Sequence, residues 1–177
     1  MNLLKTFIIT LPLLMIPLKA QGQDKNFQYR LGMTFSNQMH EQLKDYHTPL
    51  GISIGFEKQV KKTFDWDLSL NKEWASSTNK KGRMAITEIN QGLTLKPLEK
   101  NVSRFLLGIG TKFKNIYEGK ENEINANTWG GYLKCGVEWR DKKNSKFYFE
   151  TEFSKNYSKH SIYHQTDQIR FNLGMKF

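Results

Sequence analysis

The sequence predicts an all-β fold, an eight-stranded antiparallel up-and-down transmembrane β-barrel whose lumen is filled by side chains. Three observations predict it. Eight segments alternate apolar and polar residues with a period of two, which is typical of strands with one apolar face. The last segment ends the chain on Phe177, as a closing membrane strand ends on an aromatic residue at the membrane boundary. The connections between segments alternate in length, as the turns and loops of such a barrel do.

A signal peptide is predicted at residues 1–20. Residues 1–5 are a short basic start and residues 6–18 an uncharged apolar run. Small residues follow, so cleavage is expected after Ala20, with cleavage after Gly22 as the alternative. The apolar run is shorter than the roughly 20 residues that a membrane-spanning helix requires, and it contains Pro12 and Pro17. A retained helical anchor is therefore the less favoured interpretation, and residues 21–177 are predicted to form one barrel domain.

The net charge of the chain is positive, which limits the classes of partner to be expected. The chain carries 27 Lys and Arg against 17 Asp and Glu, a formal charge of +10, and removal of residues 1–20 takes away Lys5 and Lys19 and leaves +8. An exported chain meets no nucleic acid, so outer-membrane lipid and lipopolysaccharide are the expected counter-charges, beside the plain alternative of a solvated surface. Cys135 is the single cysteine, which excludes an internal disulfide; we interpret it as a small lipid-facing side chain.

The first four predicted strands are 27–35, 50–56, 64–74 and 85–95. The first two place an apolar residue at every second position with polar residues or glycine between. The third alternates aromatic and aliphatic residues with acids such as Asp65 and Asp67. The fourth is the weakest, because Met84 and Ile86 fall in the phase opposite to its other apolar residues, and we expect a β-bulge there to bring them back into phase.

The last four predicted strands are 105–113, 129–139, 147–153 and 169–177. Each again carries aromatic or aliphatic residues at every second position, which favours strands over helices. The even number of strands places both termini on one side, predicted to be the periplasm of a Gram-negative bacterium. The segments 61–63, 99–103 and 141–146 are then periplasmic turns, and the long segments 36–49, 75–83, 117–128 and 156–168 are outer loops.

The period alone does not say which phase faces lipid, and a soluble lipocalin-like barrel with its apolar phase inside is the rival. Aromatic residues favour lipid, because they occur near the predicted strand ends while aliphatic residues occupy the middle. Amphipathic rings prefer the membrane interface and form girdles there. The predicted girdle consists of Tyr29, Trp66 and Trp139 at the periplasmic side and Phe35, Trp74 and Trp129 at the outer side.

The opposite phase carries charges of both signs at strand-centre depth. Facing lipid, a base at the membrane midplane would cost roughly 2–4 kcal/mol, whereas inside a narrow barrel these side chains can pair, with glycines leaving room for them. We therefore predict a plugged lumen with an interior charge lattice. Its members are Arg30, Glu57, Asp65, Asp67, Glu88, Lys96, Lys112, Lys134, Glu138, Arg140, Glu150, Glu152 and Arg170.

The leader, the eight alternating segments and the terminal aromatic strand resemble the small outer-membrane β-barrel proteins of the OmpA and OmpX kind, over the whole of residues 21–177. In that family the terminal strand is recognised by the barrel assembly machinery, so the resemblance implies an assembly signal at Phe171, Leu173, Met175 and Phe177. The resemblance implies insertion into the outer membrane and does not indicate any activity.

The expected function is a structural or accessory role without catalysis, in which the barrel is a subunit of a larger outer-membrane complex. A lipid A-modifying enzyme of the deacylase or acyltransferase kind is the alternative, because His40, His47, His160 and His164 all fall in predicted outer loops. The His-x-Ser spacing of the deacylases is absent, since Ser161 directly follows His160. No residue is assigned to a catalytic, cofactor or metal site, because no ligand spacing recommends one.

Overall fold

Eight antiparallel strands pair in sequence order, and the last pairs back with the first to close a barrel. The computed structural model describes residues 27–39, 46–78, 82–97, 103–119, 124–140, 146–159 and 165–177; the predicted signal peptide lies outside them. These residues contain no helix that is long and apolar enough to cross a membrane. The predicted fold class is confirmed. The strands are β1 (Phe27–Gln38), β2 (Leu50–Lys61), β3 (Phe64–Ser76), β4 (Arg83–Leu95), β5 (Ser103–Gly119), β6 (Ile124–Arg140), β7 (Lys146–Tyr157) and β8 (Gln165–Lys176).

The register fixes the tilt of the strands. A row of directly paired residues that starts at Phe27 returns to β1 at Asn37, ten residues further along the strand. A displacement of this size over eight strands tilts them by about 40° from the barrel axis, within the range of closed barrels of this size. The interior of such a barrel is just wide enough for side chains to fill.

Alternate side chains point outward and inward, which is the direct consequence of the period-two sequence. At mid-height the outward residues are aliphatic and exposed, as at Leu31, Ile109 and Leu133, whereas Arg30 and Glu150 are buried inside. This is the orientation expected in lipid. The soluble alternative, which requires the apolar phase inside, is wrong for the central part of the barrel.

The orientation of the apolar phase inverts at the end of the barrel away from the C-terminus, which corrects the prediction for β4. No bulge interrupts the register of β4 with either neighbour. Met84 and Ile86 instead point into the lumen and are buried in an apolar cap, defined as Ala75, Met84, Ile86, Ile116 and Ala126, with Tyr46 and Ile124 packed against it. Water surrounds the barrel beyond the membrane, so apolar residues there are more stable inside.

Several predicted outer loops are shorter than expected because the strands continue into them. The largest difference concerns 117–128, which was predicted to be a loop: β5 continues to Gly119 and β6 begins at Ile124. Both strands have 17 residues, whereas the other six have 12 or 13. At the opposite end the expected short turn is found, with Lys61 paired to Phe64 across Lys62 and Thr63.

A glycine pair makes room for Tyr132 inside the barrel. Gly92 and Gly110 are directly paired on β4 and β5, and the Tyr132 hydroxyl lies over them while donating to Asp67 Oδ1 at 3.2 Å. An added Cβ at Gly110 would lie 2.2 Å from the carbonyl oxygen of Gln91 and 2.6 Å from the Tyr132 hydroxyl.

Gly110→Ala is expected to lower the free energy of unfolding by about 1–3 kcal/mol, because this overpacking shifts the backbone of β4. Urea unfolding in lipid vesicles measures it. Gly131→Ala is the matched control, since the nearest atom to its Cβ would be 3.5 Å away, at an ordinary contact distance. Equal losses for the two variants would contradict the packing argument.

Candidate functional site

The lumen holds a lattice of ion pairs. Among the described residues, seven basic and eight acidic side chains are buried inside the barrel, so the interior is close to neutral. Such a set is stable only when every charge has partners, because burying an isolated charge is very costly. The buried bases are Arg30, Lys96, Lys112, Lys114, Lys134, Arg170 and Lys176, and the buried acids are Glu57, Asp65, Asp67, Glu73, Glu88, Glu138, Glu150 and Glu152.

One cluster of the lattice lies toward the C-terminal end and is centred on Glu57. The Nζ of Lys176 lies 2.8 Å from Glu57 Oε1, the Nη1 of Arg30 lies 3.2 Å from the same oxygen, and the Nζ of Lys96 lies 3.2 Å from Oε2. Lys176 also bonds Glu138 at 2.8 Å. The carboxylate of Glu57 on β2 therefore links β1 and β8 to Lys96, which follows β4, and Lys176 extends the link to β6 through Glu138.

The same cluster continues across the barrel through Glu150 and Asp67. Arg30 pairs with Glu150, and its guanidinium carbon lies 4.2 Å from the ring centroid of Tyr148. Lys134 lies 3.2 Å from Asp67 Oδ1. Asp67 also accepts a hydrogen bond of 2.7 Å from Thr94.

The second cluster lies nearer the apolar cap and is centred on Arg170. Its Nε donates to Glu73 Oε1 at 2.9 Å, its Nη1 lies 3.4 Å from Glu152, and its Nη2 pairs with Glu88. Lys112 lies 3.1 Å from Glu88. Within the described ranges no ion pair joins the two clusters.

Glu73 ties the second cluster to β1. Its two oxygens accept hydrogen bonds from Thr34 at 2.7 Å and from Ser36 at 2.5 Å. Lys114 reaches Gln38 on the same strand at 3.2 Å. The polar side chains of the lumen therefore cross-link the strands, and the apolar cap covers them at the end away from the C-terminus.

Most of the predicted lattice residues are buried together in the lumen, but Arg140 is not. It has the inward phase, yet it is the last residue of β6 and is exposed at the barrel mouth. The prediction for Arg140 is wrong because it considered the phase and not the depth. Sequence reasoning missed Glu73, Lys114 and Lys176, although each shares its phase with a predicted member of the same strand, such as Asp67, Lys112 or Arg170.

The six predicted girdle residues all lie on the outer face, and their rings pack in pairs with neighbours. Once the tilt is allowed for, the register places Tyr29, Trp66 and Trp139 near one end and Phe35, Trp74 and Trp129 near the other. The ring centroids are 5.0 Å apart for Phe35 and Phe171, 5.3 Å for Phe56 and Trp66, 4.6 Å for Phe113 and Trp129, and 6.1 Å for Trp139 and Phe147.

The predicted assembly residues lie along the seam that closes the barrel. The backbone of Phe177 exchanges hydrogen bonds of 2.9 and 3.1 Å with that of Tyr29. Phe171 stacks on Phe35 of β1, and its ring centroid lies 6.3 Å from that of Phe149 on β7. Leu173 and Met175 share its outward phase. Recognition by an assembly machinery remains a prediction for these residues.

The β5–β6 hairpin extends beyond the rest of the barrel at the end away from the C-terminus. The pairing of β6 with β7 begins at Trp129 and Tyr157, so residues 124–128 have no strand partner on that side within the described part of the chain. The five residues extend roughly 16 Å at about 3.3 Å per residue. Asn115 donates from its side chain to Asn125 at 2.5 Å and to Asn127 at 2.8 Å, which orders the outer face of the hairpin.

The described residues show no catalytic constellation of the kind that the enzyme alternative requires. His47 is exposed near the start of β2, whereas His40, His160, Ser161 and His164 lie outside the described residues. Across the described ranges, no three His, Cys, Asp or Glu side chains are grouped as metal ligands. Cys135 is exposed on the outer face of β6.

Comparison with known proteins places the fold. No protein-family model and no curated protein sequence matches the chain. Among solved structures, the attachment invasion locus protein Ail of Yersinia pestis matches 86% of this chain and 99% of its own, with a TM-score of 0.57 and 9% identity. Ail in complex with the heparin analogue sucrose octasulfate matches at a TM-score of 0.58, with 9% identity over 86% of this chain and 98% of its own.

Neisserial surface protein A is similar over 85% of this chain and 95% of its own, with a TM-score of 0.63 and 9% identity. At such low identity the likeness concerns the fold alone. The chain therefore has the fold of the small outer-membrane proteins, a transmembrane barrel closed by eight antiparallel strands.

Proposed function

We propose that this protein is a non-catalytic barrel of a Gram-negative outer membrane, with its C-terminal end in the periplasm, that acts by binding a partner at its outer surface as an accessory or structural subunit. The filled lumen supports a role on the outside of the barrel, because fifteen buried charged side chains and the apolar cap occupy the space that a pore or a ligand cavity would need.

The observation that carries the proposal is the edge of β6 at residues 124–128, which faces no strand partner among the described residues. An exposed strand edge presents backbone donors and acceptors that an extended segment of another protein can pair with. Ser158 Oγ donates to the carbonyl oxygen of Asn127 at 2.7 Å, so this carbonyl is occupied and points to the side that lacks a ladder partner. Asn125 lies two residues earlier, and its N–H and C=O therefore point to the same side.

Two outward-facing lysines lie beside aromatic side chains at the end that carries the β5–β6 hairpin. The Nζ of Lys72 lies 5.6 Å from the ring centroid of Trp74, and that of Lys155 lies 5.9 Å from the ring centroid of Tyr157. Bases beside interfacial aromatics match the phosphates of lipopolysaccharide, which is the expected lipid of the outer leaflet.

Asn125→Pro tests the docking edge. Proline removes the N–H that faces the partner and is tolerated at strand edges, while the bonds of β6 to β5 stay intact. We expect the tagged wild-type protein, purified in mild detergent from cells that produce it, to carry a discrete partner that Asn125→Pro loses. Heat-dependent gel mobility confirms that the variant is folded.

Asn125→Ala is the matched control, since it also removes the side-chain bond to Asn115 but keeps the backbone N–H. It is expected to retain the partner. Retention of the same partner by the proline variant, or the absence of any partner from the wild type, contradicts the proposal.

A further inference from the structure

We propose that the end of the barrel that carries the C-terminus binds anionic glycerophospholipid head groups of the inner leaflet through a basic rim. The rim is defined by six side chains at the turn ends of β2, β5, β6 and β7. This goes beyond the proposed function, because it assigns a lipid class to the end opposite the β5–β6 hairpin and does not depend on that hairpin; the choice of leaflet rests on the proposed periplasmic position of the C-terminal end. The rim residues are Lys58, Lys61, Lys62, Arg104, Arg140 and Lys146.

The charge on the outside of the barrel is strongly asymmetric. Every charged side chain at the rim end that is exposed or half-buried is basic, as far as the described residues go. The sequence segments 98–102 and 141–145 add Glu99 and Asp141 but also three lysines. The outer end is mixed, because four exposed or half-buried bases there are accompanied by Glu118 and Asp167. The near-neutral lumen cannot balance the rim, so this end presents a positive field to the membrane interface.

The hairpin that joins β2 and β3 combines bases with apolar side chains at the membrane boundary. Lys58 lies on the lipid-facing side, with its Nζ 5.2 Å from the ring centroid of Phe27. Val60 and Phe64 are exposed in the same hairpin, next to Lys61. Bases can take the phosphate of a lipid while the apolar neighbours contact its acyl chains. A water-soluble polyanion such as a cell-wall polymer has no acyl chains to contact Val60 and Phe64, so these side chains would not contribute to its binding.

The opposite part of the rim places like charges on neighbouring strands. Arg140 of β6 and Lys146 of β7 are directly paired in the register. Arg104 of the adjacent β5 is paired with Glu138, whose side chain is buried in the lumen. These three bases outnumber the one acid beside them, so the net positive charge of the rim favours a lipid with net negative charge over a zwitterionic one.

The test compares two lipids in the folded protein. The chain without residues 1–20 is folded into vesicles of equal parts phosphatidylglycerol and phosphatidylcholine, extracted in mild detergent, and analysed by native mass spectrometry for bound lipid. We expect several-fold enrichment of phosphatidylglycerol on the wild-type protein, falling with added salt. The triple variant Lys58→Gln, Lys61→Gln, Lys62→Gln is expected to lose most of that enrichment.

A triple variant at the other end, Lys72→Gln, Arg83→Gln, Lys155→Gln, is the matched control because it removes the same charge. It is expected to keep the enrichment. Equal lipid ratios on the wild type and the rim variant, or an equal loss in the control, overturn the inference. Preferential capture of lipopolysaccharide or of isolated cell-wall polymer by the rim, in place of phosphatidylglycerol, also overturns it. None of these outcomes affects the hairpin test.

Discussion

Arg170→Met is expected to lower the free energy of unfolding by about 3–5 kcal/mol, the usual cost of removing one partner from a buried ion-pair network. Arg170 is fully buried and contacts Glu73, Glu88 and Glu152. Its removal leaves three carboxylates against Lys112 and Lys114 in a region that water does not reach. The side chain of Met fills much of the space, so the loss is mainly electrostatic. Urea unfolding in lipid vesicles measures the change.

Arg140→Met serves as the control for Arg170→Met, because it makes the same chemical change at an exposed residue of inward phase. We expect it to alter the free energy of unfolding by much less. A second variant that combines Arg170→Met with Glu73→Gln is expected to recover part of the loss, since it removes the carboxylate that pairs with Arg170 and leaves two acids against two lysines. Equal effects of the two arginine substitutions, or no recovery in the combined variant, would mean that the lattice does not hold the barrel together.

The fold could be predicted because the membrane imposes one simple rule on every strand. Alternate residues face lipid over the whole hydrocarbon depth, so phase alone identified eight strands and placed pairs such as Arg30 and Glu150 inside. This rule applies only within the hydrocarbon region of the membrane. Above that level Ile116 and Ala126 face inward while Asn125 and Asn127 face outward, as in a soluble barrel.

The reversal of the apolar phase beyond the lipid explains which predictions were wrong. Residues 117–128 lack the lipid-type alternation, which favours a loop. Ile86 is out of phase with the other apolar residues of β4, which favours a bulge, although the register of β4 is continuous. At the other end Arg140 has the inward phase but is exposed at the barrel mouth, because it is the last residue of β6. The inversion of phase therefore marks the level at which the lipid-facing pattern stops, at the end of the barrel away from the C-terminus, and a search for strands alone does not reveal this level.

The partners within the ion pairs of the lumen could not be predicted from the sequence. Phase gives the membership of the lattice, but the partners depend on the shear of the barrel. Glu57 and Lys176 are 119 residues apart in the chain and meet only because β1, between β2 and β8, brings their strands together at one depth. The register that fixes this depth has to come from the structure.

Ile109→Arg is expected to lower the free energy of unfolding in lipid vesicles by roughly 2–4 kcal/mol, the cost of a base on the lipid face at the bilayer midplane. Ile109 is 61% exposed and is paired directly with Leu93 and Leu133, which are also outward-facing and aliphatic. Nothing within the barrel changes, so the effect reports only on the surroundings of the outer face.

Leu50→Arg separates the effect of the membrane from that of the substitution. Leu50 is 60% exposed, nearly the same as Ile109, but it is paired with Trp74 at the outer aromatic level. A base there can reach the interface, so its expected cost is about 0–1 kcal/mol. Water on the outer face would make the two arginine variants equally harmless, whereas lipid makes the cost depend on depth. A depth-dependent difference is therefore a direct measurement that hydrocarbon surrounds this barrel between its two aromatic levels.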